Sequence, residues 1–579
     1  MVVTTDENAS SAAPGKAPPA VAGGASDAGP TSPDCGGAAG ESAATGGFAA
    51  PDAADAVPAH PASPELFAAV GALWHLSQLH FDADTGAATP PPVWPMALQA
   101  AVADPLGDAD TADPDSIDAA VLVPLALPLL KCSMQRLQRK AAAVIRKAVC
   151  ATDVTCAISL TATEEFLGSA CRIIEAPVAA ATSPSTAVAI LKDILWAVEN
   201  TAAGNTAATT AVVQCPGLLP ACAAMLTAGR ENVTDAMLMH ALGALANVAG
   251  ENAEFRDHIL DLDVLDPAVA LLDDAARDAS SVTHPAAALL SKCFRSKPHP
   301  PGARVKAAVP ALVRALGHAE DNVASEAAWA ISHYTDYKDT ERDHFIGLDG
   351  AVTRTFAAMQ RSDDLLTPCL RVAGNLCSGT AAHTRAATEQ GLMQAMPFLL
   401  THAKRNVAKE AAWTLSNILA DDPKYISLML HYGVLPHVLR QLQTGPFEVR
   451  KEAVWCVCNA ACDASDVDIQ GMLAAGVVPA LAAVLVLHDA KVLGVALEAL
   501  ENLLEKAEDD TKAAVHATPG MLDAIEALQN HANTGVYDRA TAILESYFDA
   551  NGEDEHGEEG GHDAGQQARL PASGGFNFA

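Results

Sequence analysis

Positive charge is scarce in this chain. Between Met1 and Leu130 it carries one lysine, Lys16, and no arginine. Across all 579 residues, 36 basic side chains face 70 acidic ones, a formal net charge of −34. So acidic a surface repels a phosphate backbone, which argues against nucleic acid as a direct partner and favours cationic polypeptides. Catalytic signatures are missing as well: no Gly-rich phosphate loop, no G-x-S-x-G elbow and no HExxH helix. Histidines such as His333 and His402 have no nucleophile beside them, so an enzyme is not expected. The 13 cysteines lack paired CxxC or Cys/His ligand spacing. The tightest group, Cys456, Cys458 and Cys462, reads as small helix positions rather than a metal site, and no cofactor is expected. Reduced thiols in cytoplasm and nucleus fit best. No apolar segment follows a basic start, and prolines interrupt the longest apolar run, Val121 to Leu130, so neither a signal peptide nor a membrane span is expected.

What is abundant is Ala, Leu and Val: half of the residues are hydrophobic but only 4% aromatic, a composition for closely packed helices. Residues 1–63 are low-complexity Ala, Gly, Pro, Ser and Asp, too poor in large apolar groups to offset the entropy of folding, and read as a disordered tail. Residues 64–130 add Leu66, Phe67, Trp74, Leu76, Phe81 and Trp94 between Pro-rich breaks, enough for a few helices. Helical patterning is continuous over 131–549, where Leu137 to Lys147 looks like a first repeat or cap. Residues 550–579 turn acidic and Gly-rich and read as a second disordered tail.

Within 131–549 one phrase recurs. It stands as Glu326-Ala-Ala-Trp329-Ala-Ile-Ser-His333, Arg371-Val-Ala-Gly-Asn375, Glu410-Ala-Ala-Trp413-Thr-Leu-Ser-Asn417 and Glu452-Ala-Val-Trp455-Cys-Val-Cys-Asn459. The anchors 329, 371, 413 and 455 are about 42 residues apart, the period of stacked helical repeats, about nine to ten of them over this length. Trp and Asn at i and i+4 leave one face of a helix. Stacking then predicts a ladder of indoles and carboxamides along one open concave face. Such amides can donate to and accept from an extended peptide backbone. Neighbouring indoles make slots for the alkyl stems of Lys or Arg, and Glu410 and Glu452, one turn earlier, place negative potential at the slot mouths. The expected ligand is an extended basic peptide. Towards the N-terminus the ladder is worn: Trp196 and Asn200 are paired, the next unit keeps Asn247 but has Gly243 for the aromatic, and the one after has Ala288 and Lys292. Gly433-Val-Leu-Pro436 and Gly476-Val-Val-Pro479 read as turns between helices.

From about residue 137 onward the chain resembles importin alpha, the armadillo adaptor of nuclear localisation signals. Besides the ladder, the likeness rests on Phe294-Arg-Ser-Lys-Pro-His-Pro-Pro301, the Arg371…Asn375 variant, Leu528-Gln-Asn-His531 with Tyr537, and the terminal Gly574-Gly-Phe576-Asn-Phe578. It implies an all-α, right-handed armadillo-repeat superhelix, a solenoid with disordered tails, moving between cytoplasm and nucleus. Two signal-binding segments follow by resemblance. The minor one matches Asn375, Trp413, Asn417, Trp455 and Asn459, with Glu410 and Glu452 beside them. The major one matches Trp196, Asn200, Gly204, Thr209 and Asn247, with Glu251 where the family has an Asp. There Lys292 replaces an Asn and should repel a basic peptide. The family's Arg/Lys-rich importin-beta-binding segment has no counterpart in residues 1–130, so importin beta is expected by a non-standard route, alongside an export factor. The other function the residues allow is an armadillo scaffold for cytoskeletal or signalling partners without transport.

Overall fold

The computed structural model describes residues 119–131, 135–150, 155–176, 183–229, 232–276 and 279–548. The expected tails at 1–63 and 550–579, and all of 64–130 before Ala119, lie outside them. Every regular element among the described residues is helical. Ten helices carry the architecture: α1 (Gln135–Ala148), α2 (Pro184–Ala202), α3 (Asp235–Glu251), α4 (His284–Phe294), α5 (Asp321–Thr335), α6 (Asp363–Cys377), α7 (Arg405–Leu419), α8 (Phe447–Asp463), α9 (Ala490–Lys506) and α10 (Thr534–Tyr547). Each packs on the next, α1 on α2 through to α9 on α10, and shorter helices fill the intervals. This is an all-α solenoid whose contacts run between neighbours.

The local reasons are ordinary. Asp489 caps α9 by accepting from the Val492 N–H, Thr234 caps α3 at Met237 and Asn533 caps α10 at Val536. The Gly-x-x-Pro turns behave as their composition predicts. Gly433 and Gly476 take φ of 65° and 87°, a region costly for any residue with a Cβ. Pro436 then sits in the first turn of Leu435–Thr444, where its missing N–H costs nothing.

One apolar core runs from Val123 to Ile543. Alanines at the helix seams, among them Ala327, Ala328, Ala411, Ala412, Ala453 and Ala460, are fully buried and let the backbones approach. Gly374 allows the closest approach: a Cβ there would lie 2.2 Å from Trp413 Cζ3. The segment expected as a first repeat or cap is α1, which packs on α2. Arg139 and Arg146 of α1 hold the buried Asp193 of α2 at 2.5 and 3.1 Å.

Candidate functional site

The repeating phrase lies at one level of consecutive helices: Trp329 on α5, Arg371 and Asn375 on α6, Trp413 and Asn417 on α7, Trp455 and Asn459 on α8. Trp413 and Trp455 are half-buried, Trp455 packed against the apolar core and the Trp413 ring against Gly374. The carboxamides depart from expectation. Asn375 and Asn417 are 3% and 5% exposed, and only Asn459 is half-buried. Each reaches back to the helix before it: Asn459 Nδ2 donates to Ser416 O at 2.8 Å, Asn417 to Gly374 O at 3.5 Å and Asn375 to Ser332 O at 2.7 Å. The step is 43 residues each time. The asparagines therefore staple the repeats together, and Asn459 alone of the three is also partly exposed on the face. Asn375 also donates to Thr335 Oγ1 at 3.1 Å, which uses both its N–H donors, whereas the half-buried Asn459 donates one bond and keeps a second N–H and its oxygen for a ligand.

A second correction concerns Glu410, expected to supply negative potential at a slot mouth. It is 5% exposed and held by Arg371: Arg371 Nε donates to Oε2 at 2.6 Å, and Nη2 donates to Oε1. The guanidinium also lies 5.6 Å from the Trp413 ring centroid. Here the protein places its own cation over an indole and neutralises the carboxylate beneath it. Glu452, the matching residue on α8, is half-buried and has no arginine partner of this kind among the described residues. Burial raises its pKa, Lys409 and Lys451 pull it down, and Glu410 and Glu448 add to the rise. On α5 the Trp329 and His333 rings stack at 6.3 Å. His333 is pushed down to about 3 by burial first, then by Arg295, Lys292 and Arg371, with Asp336 opposing.

The N-terminal rungs are rewired. Trp196 is half-buried, and Asn200 Nδ2 turns back onto its own helix at Trp196 O, 2.9 Å. Asn247 donates to Glu199 O at 3.1 Å. Gly204 packs so closely that a Cβ would meet Ile158 Cγ2 at 2.6 Å. Thr209 is wholly buried and donates to Ala202 O at 3.0 Å, which makes it a support for the loop rather than a lining side chain. Glu251 is exposed and accepts from Thr206 Oγ1 at 2.6 Å.

Two residues beside these rungs escaped sequence reasoning. At the aromatic vacancy of Gly243, the Glu199 carboxylate lies where a Cβ would be, 2.1 Å from that point. His240 Nδ1 sits 2.7 Å from Glu199 Oε2, and its ring is 4.9 Å from that of Trp196. Sequence offered one signal: His240 precedes the Gly243 rung by three residues, just as Glu410 precedes Trp413. Both turn towards the helix before. On the next rung, the Lys292 stem runs against Gly250, its Cδ 3.3 Å from where a Cβ would stand. Among the described residues, no group of His, Cys, Asp and Glu could hold a metal ion.

Comparison with known proteins agrees with this geometry. The family model described as Armadillo/beta-catenin-like repeat matches residues 303–336, 380–420 and 422–462, and that of an atypical Arm repeat matches 520–561. Over 402 residues the chain is 31% identical to importin subunit alpha-4 of Arabidopsis thaliana, covering 66% of this chain and 73% of the relative. Importin subunit alpha-2 of the same plant is 32% identical over 403 residues, with the same coverage. Importin subunit alpha-1b of Oryza sativa subsp. japonica is 29% identical over 398 residues, again at 66% and 73%. Among solved structures, the crystal structure of an engineered protein superposes with a TM-score of 0.64 at 24% identity, covering 73% of this chain and 98% of that one, and supports the fold alone.

Proposed function

This chain belongs to the importin alpha family, and we propose that it works as a nuclear import adaptor, gripping an extended basic localisation signal chiefly through the face built from α6, α7 and α8. The observation that carries this reading is the pair of half-buried indoles, Trp413 and Trp455, on adjacent helices that the Asn417 and Asn459 staples hold in register. At about 10 Å from one helix to the next, the two indoles are spanned by about three residues of an extended peptide. Each indole offers a flank to an alkyl stem and its face to a cationic head. Asn375, Glu410, Trp413, Asn417, Glu452, Trp455 and Asn459 form the principal segment. Within it Asn375, Asn417 and Glu410 act mainly by fixing backbone and indoles, and Glu452 supplies the attracting carboxylate.

The segment of Trp196, Asn200, Gly204, Thr209, Asn247 and Glu251 serves as the weaker half, with Glu199 in the place of an indole. The repeats span 131–549. The partners of this reading are cargo proteins bearing basic signals, importin beta and an export factor, with the protein divided between cytoplasm and nucleus. Titrating a labelled lysine-rich peptide into the protein and into Trp413→Ala/Trp455→Ala tests it. A scaffold without transport activity would bind both alike.

A further inference from the structure

The rung without an indole on α3 holds a carboxylate in its place. Glu199 reaches across from α2, and its Oε1 lies 2.1 Å from where a Cβ on Gly243 would stand, so only glycine leaves it room. Unlike Glu410, which Arg371 neutralises, Glu199 keeps 28% of its side chain exposed, and no lysine or arginine pairs with it among the described residues. His240 fixes its head: the imidazole Nδ1 meets Oε2 at 2.7 Å, the N–H donating to the carboxylate. With a side chain only 4% exposed, His240 can position Glu199 but not meet a ligand. Its ring also lies 4.9 Å from that of Trp196, so one side chain touches both the indole and the carboxylate and keeps them neighbours. The backbone beneath is held by Asn247, which donates to Glu199 O at 3.1 Å.

From this geometry we infer that Glu199 and Trp196 form a station in the N-terminal half of the face that selects arginine over lysine, with His240 as its positioning residue and Gly243 as the gap that admits the carboxylate. The inference rests on the proposed binding of basic peptides. Two facing indoles grip the alkyl stem, which lysine and arginine share, and so discriminate little between them. An indole beside a carboxylate grips the head. A guanidinium is flat, stacks on an aromatic face and carries a fork of N–H donors that matches the two oxygens of a carboxylate. An ammonium offers neither the fork nor the plane and holds its water more tightly. The bond from His240 uses one acceptor position of Oε2, which leaves the rest of that oxygen and all of Oε1 for the fork. Ala288 stands at the indole position of α4, so α3 and α4 together supply no second ring for a lysine stem.

The test uses fluorescence anisotropy with a labelled short lysine cluster and with versions carrying one arginine at each position in turn. Full-length Trp413→Ala/Trp455→Ala removes the stronger face and leaves the N-terminal half to report. In that background one arginine register should bind about fivefold more tightly than the all-lysine peptide, as expected of an added charge-assisted contact. Adding Glu199→Gln or Gly243→Ala should erase the preference. Gly243→Ala removes no polar group and displaces only the tip of Glu199, so the helix stands. His240→Phe should also lose the preference, whereas His240→Gln, whose amide can still donate to Glu199, should keep part of it. If His240→Gln does no better than His240→Phe, the positioning role is refuted. Equal affinity for lysine and every arginine register, no binding in the background lacking the indoles, or a preference that survives both Glu199→Gln and Gly243→Ala overturns the inference. The parent protein keeps the two readings apart. If it binds the lysine cluster through Trp413 and Trp455 while the arginine preference is absent, only this inference falls. If it binds no basic peptide, both fall.

Discussion

Arg371 and Glu410 invite an uneven pair of substitutions. Glu410 is 5% exposed, whereas the Arg371 side chain is about a third exposed. Replacing Arg371 by Met strands a buried carboxylate that accepted two guanidinium hydrogen bonds, at a cost of about 3 kcal/mol. Replacing Glu410 by Leu leaves a guanidinium that can turn to water, at about 1 kcal/mol. The double variant Arg371→Met/Glu410→Leu removes both charges and keeps the volume apolar, so it should fall within about 1 kcal/mol of the parent. Long repeat arrays do not unfold as one unit, so the readout is native-state amide exchange in α6 and α7 rather than a single melting temperature. Opening should become easiest for Arg371→Met, less so for Glu410→Leu and least for the double variant. Equal costs for the two single changes, or a double cost equal to their sum, would mean that the pair is solvated and Glu410 is free for a ligand after all.

Other outcomes follow from single contacts. Gly374→Ala should push Trp413 out of its seat and cost about 1–3 kcal/mol, seen as easier amide exchange in α6 and α7 together with weaker peptide binding; an unchanged Trp413 environment would refute the close approach. Burial raises the Glu452 pKa, while a bound cation favours its ionised form, so binding releases a proton there and affinity should rise with pH through and just above the ordinary carboxylate range. Calorimetry should find that dependence flattened in Glu452→Gln. His333, held down to about 3, stays neutral in the fold while its unfolded counterpart charges below about 6.5. Its contribution is present above that pH and lost as pH falls towards 3. His333→Phe should lessen acid sensitivity in denaturant titrations at pH 4 to 7.

The regularity of the fold was legible because a 42-residue period fixes which side chains share a face, and Trp413, Asn417, Trp455 and Asn459 do occupy matching levels of α7 and α8. Period alone does not say whether a polar group on that face is free. The asparagines bridge to the preceding helix because consecutive backbones lie close enough for a carboxamide to cross, a distance set by buried alanines that no single helix reveals. Arg371 with Glu410, and Glu199 with His240, are pairings between successive helices, visible only once the position three residues before a rung is known to face the helix before. Arg256 reads in sequence as an ordinary charge on a short helix, yet it is wholly buried because three carbonyls of the 295–298 turn surround it.

The indoles of α7 and α8 are where the proposed function stands most exposed to experiment. A labelled lysine-rich peptide titrated against the parent protein and against Trp413→Ala/Trp455→Ala should bind the parent at least tenfold more tightly, a difference of about 1.4 kcal/mol for two cation–π contacts. Amide exchange in the helices should stay unchanged away from the two sites. Equal affinities in a folded double variant would show that basic peptides, if they bind at all, bind elsewhere.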